Sequence, residues 1–176
     1  MVDARQIFAQ ASQVKVESAK PEWTQILMQP TMDARNLVMG YIRCEISDLS
    51  GELGEQLALA VDELLRNAIE HGRGDCTQCS VEFTYIRTPH MIQFQIKDHG
   101  PGFAMNSVAH AAINNPPEEP LKHAHYRTEM GMRPGGFGIM LVKQIADDLI
   151  YNEAGNEVLL VKYLVPDGPI HSAEQL

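Results

Sequence analysis

The segment Glu63-Leu-Leu-Arg-Asn67-Ala-Ile-Glu-His71-Gly72 closes a long helical pattern, and its reading decides the fold. Apolar residues recur upstream and through it at Leu53, Leu57, Ala60, Val61, Leu64, Leu65, Ala68 and Ile69. That spacing predicts a helix from about Glu52 to Glu70 with a stripe wide enough to dock on a sheet. Glu63, Asn67 and His71 or Glu70 fall on one face of it, because residues four apart stack one turn above another. The face lies beside the stripe, so it looks into a cleft while the helix stays docked. An asparagine inside a helix needs a reason, since its amide competes with the backbone. His71-Gly-Arg-Gly74 then ends the helix by the glycine C-cap route.

Two further segments supply what this helix lacks. Asp98-His-Gly100-Pro-Gly102-Phe103 follows the alternating strand Ile92 to Lys97. A carboxylate at a strand end accepts a hydrogen bond from an exocyclic amine, and Gly100 and Gly102 let the backbone approach a flat ring. Read in isolation, the same run makes an ordinary turn. Gly135-Gly136-Phe137-Gly138-Ile139 opens an apolar helix expected to run to about Asp148. Flexible N–H groups and a helix N-terminus form a phosphate-binding layout. It is not a Walker A loop, since no Gly-Lys-Ser/Thr follows, and not a Rossmann fingerprint, since no strand precedes it. Alone, Glu63 and Asn67 read as the solvated face of an amphipathic helix. In this order, the three segments hold the parts of an ATP-Mg2+ pocket, with an amide oxygen for a hard cation that prefers oxygen ligands.

These three boxes resemble the GHKL ATPase superfamily, over roughly Glu22 to Val165, and within it the small anti-sigma-factor serine kinases of bacterial partner-switching systems. The resemblance implies an α/β two-layer sandwich, with a mixed, largely antiparallel sheet and helices on one face. It implies that Asn67 is the Mg2+ ligand, that Glu63 positions or deprotonates the attacking hydroxyl or water, and that His71 touches a phosphate. Asp98 would bind the adenine amino group with Gly102 against the base. Gly100 would complete that turn, and Gly135, Gly136, Phe137, Gly138 and Ile139 would line the phosphates.

The implied activity is transfer of the ATP γ-phosphoryl to a serine or threonine of a small antagonist protein of the anti-anti-sigma kind. The partner released or captured would be a sigma factor or other regulated protein, and relatives commonly form homodimers. Two alternatives stay open: a nucleotide-gated sequestering module without transfer activity, and a histidine-kinase catalytic domain. The latter needs a helical segment carrying the accepting histidine, for which the residues ahead of Trp23 are too few.

The remaining sequence sets bounds. At 176 residues the chain makes one domain with a full core. We divide it into an N-terminal extension (1–21), an ATP-binding domain (22–166) with a lid at about 103–136, and a tail (167–176). A formal charge of −9 with only 14 Lys and Arg argues against coating nucleic acid and suits a basic protein partner. No apolar run reaches the roughly 18 residues of a membrane span, and the start lacks a signal-peptide pattern, so a cytoplasmic protein is expected.

Cys44, Cys76 and Cys79 are an odd number, better suited to a reducing compartment than to a disulfide framework, and Cys76-Thr-Gln-Cys79 lacks a second pair for zinc. Upstream, Asp3 is a candidate cap for a short helix, and segments at Val14–Val16 and Trp23–Met28 are expected to pair as a hairpin. Thr31 or Asp33 caps a helix through about Asp48, with Leu37, Val38, Tyr41, Ile42 and Ile46 toward the core. Strands follow at about 78–87 and 91–97. The stretch from Gly102 to Gly136 loses periodicity, which marks a functional lid, and it carries His123, His125, Arg127 and Arg133. A last hairpin, Leu149 to Val165, turns around Ala154-Gly-Asn156.

Overall fold

The computed structural model describes residues 3–20, 22–72, 79–102, 114–131 and 136–164. Its elements run α1 (Ala4–Ile7), β1 (Val14–Lys20), β2 (Trp23–Met28), α2 (Met32–Glu45), α3 (Gly51–His71), β3 (Val81–Arg87), β4 (Met91–Lys97), α4 (Lys122–Glu129), α5 (Gly138–Ile145), β5 (Asp148–Tyr151) and β6 (Glu157–Tyr163). One six-stranded sheet has the order β1-β2-β3-β4-β6-β5. All its pairings are antiparallel, so the parallel component that a mixed sheet allows is not used among the described strands. With helices α2, α3 and α5 against the sheet, the architecture is the expected α/β two-layer sandwich.

Strict alternation builds the buried face. Val81, Phe83 and Tyr85 of β3, Ile92, Phe94 and Ile96 of β4, and Val158 and Leu160 of β6 are all buried, while their neighbours in sequence are more exposed. The β3–β4 register sets Tyr85 opposite Phe94, and their rings stack at 5.4 Å. Against this face, α3 buries Leu57, Ala60, Val61, Leu64, Leu65 and Ala68, and α2 buries Val38, Met39, Tyr41 and Ile42. Residues ahead of Trp23 join the same packing: Ala4, Phe8 and Val14 are buried in the core, and β1 is the edge strand beside β2.

Local chemistry explains most element ends. The Thr31 hydroxyl accepts a hydrogen bond from the Ala34 N–H and starts α2 after Pro30. Asp3 caps α1 through the Arg5 N–H. Thr88 closes the β3–β4 turn by accepting from the N–H groups of His90 and Met91.

Several expectations need correction. Leu37 is 37% exposed, and Ala34 and Met39 take its place in the core. The last helix stops at Ile145, because Ala146 turns extended and Asp148 already pairs in β5. Within the stretch expected to be irregular, α4 forms, and its His123 is fully buried against Phe137. Cys79 is disulfide-bonded, against the expectation from the odd cysteine count, while Cys44 is free and exposed. Cys76, residues 103–113 and 132–135 of the expected lid with Arg133, and the tail lie outside the described residues, as does the side chain of Arg127.

Phe94 lies in the middle of this core, 0% exposed and in ring contact with Phe83 and Tyr85. Phe94→Ala is expected to lower unfolding free energy by about 3–5 kcal/mol. Ile150→Ala, at a position 56% exposed on the edge strand β5, should cost about 0.5 kcal/mol or less. Urea midpoints at unchanged slope measure both.

Candidate functional site

Three elements meet at one end of the sheet. The last turns of α3 carry Asn67 and His71, the end of β4 delivers Asp98, and the β5–β6 hairpin brings Tyr151 and Asn156. These residues line one cleft with Gly102, and Leu64, Ala68, Ile96 and Val158 supply its apolar walls. Asp98 continues the alternation of Ile92, Phe94 and Ile96, so it points to the helix side of the sheet.

The approach of the Asp98 turn to α3 depends on glycine. At Gly72, a Cβ would stand 2.5 Å from the Asp98 Cβ and closer still to the Ala68 carbonyl oxygen. At Gly100, a Cβ would lie 2.6 Å from the His71 carbonyl oxygen and 2.9 Å from the Gly72 Cα. Gly72 is the C-cap of α3, its N–H donating to the Ala68 carbonyl, and with φ −80 it is right-handed; Gly74 of the expected cap lies outside the described residues. The residue is needed for space, not for its torsion angle. Gly102 needs both, with φ +69 and a Cβ position that would strike the Ala154 carbonyl.

The turn also orients the carboxylate. The Gly100 N–H donates to Asp98 Oδ1 at 2.7 Å. Burial pushes the Asp98 carboxyl above its ordinary range, opposed by that N–H and by the charges of His71 and His99. The cleft therefore holds an acceptor in a partly desolvated setting, beside apolar walls that suit a flat ring.

One turn back along α3 is the second half of the site. Glu63 is half-buried and pairs with Arg66, Nη1 to Oε1 at 3.1 Å. Its other oxygen, Oε2, lies where a Cβ on Gly138 would be, at 2.5 Å. Gly138 is the first residue of α5, so the carboxylate sits beside that helix's N-terminus, where a negative charge is favoured. The N-cap residue of α5, Phe137, makes no side-chain cap bond, so it leaves the first N–H groups of the helix to other acceptors.

The sequence-derived residues thus fall into two adjoining groups. Asn67, His71, Asp98 and Gly102 share the cleft, with Gly100 behind Asp98. Glu63 and Gly138 meet at the start of α5, preceded by Gly136 with φ 95 and by Phe137, whose ring carries His123 edge-on at 4.4 Å; Ile139 follows within the helix. Gly135 lies outside the described residues. Sequence reasoning missed Tyr151, Asn156 and Arg66. Asn152-Glu-Ala-Gly155-Asn156 reads as a turn, but nothing local marks it as touching Asp98.

Gly72→Ala tests the close approach. Its torsion angle suits alanine, so helix propensity alone would favour the change. The collision with Asp98 and Ala68 should instead lower stability by about 1–3 kcal/mol, as overpacking does. A thermal midpoint equal to or above that of the unchanged protein would contradict the geometry.

Comparison with known proteins agrees with the fold. A family model described as a histidine kinase-like ATPase domain matches residues 31–162. The chain is also 26% identical over 136 residues to a serine-protein kinase, RsbW, of Oceanobacillus iheyensis, a match that covers 73% of this chain and 81% of that protein. The matched span holds the three boxes, helices α2 to α5 and strands β3 to β6, the last to within one residue of its end; the chain belongs to the histidine kinase-like ATPase family.

Proposed function

We propose that the protein binds ATP with Mg2+ in this site and transfers the γ-phosphoryl group to a serine or threonine of a small antagonist protein, as a partner-switching regulator. The observation that carries the proposal is the placement of Glu63 beside Gly138. It sets a carboxylate at the N-terminus of α5, one turn along α3 from Asn67, which itself lines the cleft with Asp98. Family membership and the likeness to a serine-protein kinase support the same reading.

Each residue then has a task set by its position. Asp98 accepts a hydrogen bond from the adenine amine, and Leu64, Ala68, Ile96 and Val158 pack around the ring. The open N–H groups of α5 hold phosphate oxygens, and His71 at the end of α3 reaches toward them from the cleft. The amide oxygen of Asn67 is the kind of ligand that Mg2+ takes, and the ion would supply neutralisation of phosphate charge there. Glu63 orients the attacking hydroxyl and takes its proton as the new phosphorus–oxygen bond forms and the bond to the β-phosphate oxygen breaks. ADP leaves and the phosphorylated antagonist follows, so the regulated protein, a sigma factor or another target, exchanges partners.

One observation favours a second reading, in which nucleotide only shapes a sequestering surface. Glu63 is ion-paired with Arg66 at 3.1 Å, so one of its carboxylate oxygens already has a partner.

Two substitutions one turn apart separate these readings. Glu63→Gln keeps the shape and removes the base, so nucleotide should bind as before while transfer falls by roughly 10²–10⁴. Asn67→Ala should weaken Mg2+-dependent binding itself, and transfer with it. Labelled ATP incubated with the antagonist, alongside calorimetric titration, measures both. Transfer at the unaltered rate in Glu63→Gln removes that residue as base, and no transfer by the unaltered protein to any antagonist favours the sequestering module.

A further inference from the structure

The β5–β6 turn is joined to the Asp98 turn by a relay of amides. The Asn152 Oδ1 accepts from the N–H groups of Gly155, Asn156 and Glu157, at 2.8, 3.1 and 3.2 Å, which fixes the turn from within. The Asn152 Nδ2 donates to Asn156 Oδ1 at 2.8 Å. Asn156 in turn donates from Nδ2 to the Gly100 carbonyl at 3.2 Å, and its own carbonyl accepts from the Asp98 N–H at 2.9 Å. The Gly100 N–H then donates to Asp98 Oδ1. Asn156 therefore grips both ends of the short turn whose middle orients the carboxylate.

The steric contacts point the same way. Gly102, at the end of the turn, passes so close to the hairpin that a Cβ would lie 2.7 Å from the Ala154 carbonyl carbon and 3.2 Å from the Asn156 nitrogen. Asn156 itself lines the cleft and is only half-buried, so no demand of core packing accounts for its amide.

We infer that Asn156, oriented by Asn152, is a positioning residue that acts through Asp98 to set base recognition. The inference rests on the reading of Asp98 as the group that accepts the adenine amine. It adds a residue from a different hairpin, and it requires that the effect be felt at the base end of the nucleotide.

A thermodynamic cycle tests it. The unaltered protein, Asn156→Ala, Asp98→Asn and the double variant are titrated with ADP and with GDP by calorimetry. Asn156→Ala should lose about 3–10-fold in ADP affinity, the span of one or two net hydrogen bonds, and should narrow the preference for ADP over GDP. In the Asp98→Asn background the same substitution should change ADP affinity by about twofold or less, since groups acting in series are not additive. Unchanged ADP affinity in Asn156→Ala, or losses that multiply in the double variant, would overturn the inference alone. Unchanged affinity in Asp98→Asn would overturn the reading of the base site and this inference with it. Should Asn156→Ala fail to fold, Asn152→Asp keeps the acceptor that fixes the turn and removes the donor that orients Asn156; the narrowed ADP preference is then expected there, and an unaltered preference contradicts the proposal.

Discussion

The close passage of the Asp98 turn beneath the end of α3 is the contact on which the site depends. It brings two backbones together at Gly72 and Gly100 with no room for a Cβ on either. Because that approach is fixed, a carboxylate from the sheet and an amide from the helix open into one cleft. The sandwich supplies the rigid parts: α3 is docked by a continuous apolar stripe, and β4 is held between β3 and β6. A site built on a helix and a central strand keeps its geometry better than one built on loops.

Charge is arranged along the same helix. Asp98 lies at the end of α3 where His71 offsets it, and burial favours its neutral form. Glu63 lies two turns earlier, paired with Arg66 and set beside the first residue of α5. The two acids thus occupy unlike surroundings, Asp98 beside the apolar walls of the cleft and Glu63 beside Arg66 and the start of α5. Gly138 allows the second arrangement, since a side chain there would displace the Glu63 carboxylate.

Much of this was legible in the chain because the signals were periodic or local. The stripe from Leu57 to Ile69 announced α3, the alternation of Ile92, Phe94 and Ile96 announced β4, and Thr31 marked its helix through a hydroxyl three residues before the N–H it caps. What stayed hidden involved contacts distant in sequence. Gly72 caps α3 as read, but the lack of room for a side chain there comes from Asp98, at the end of β4. Asn156 lies 56 residues from its acceptor Gly100, so no local pattern could reveal the relay. His123 fell in a stretch read as an aperiodic lid, but it packs against Asn115 and Phe137, and the helix around it has little apolar periodicity to announce it. Leu37 matched the helical spacing of α2 yet falls at the rim of the buried face.

The most direct test of the account is a crystal structure of the unaltered protein with Mg2+ and a non-hydrolysable ATP analogue. The account predicts the adenine amine on Asp98, the metal against the Asn67 amide oxygen, and phosphate oxygens at the N-terminus of α5 beside Glu63. Nucleotide bound elsewhere, or bound in the cleft with its base turned away from Asp98, would contradict it.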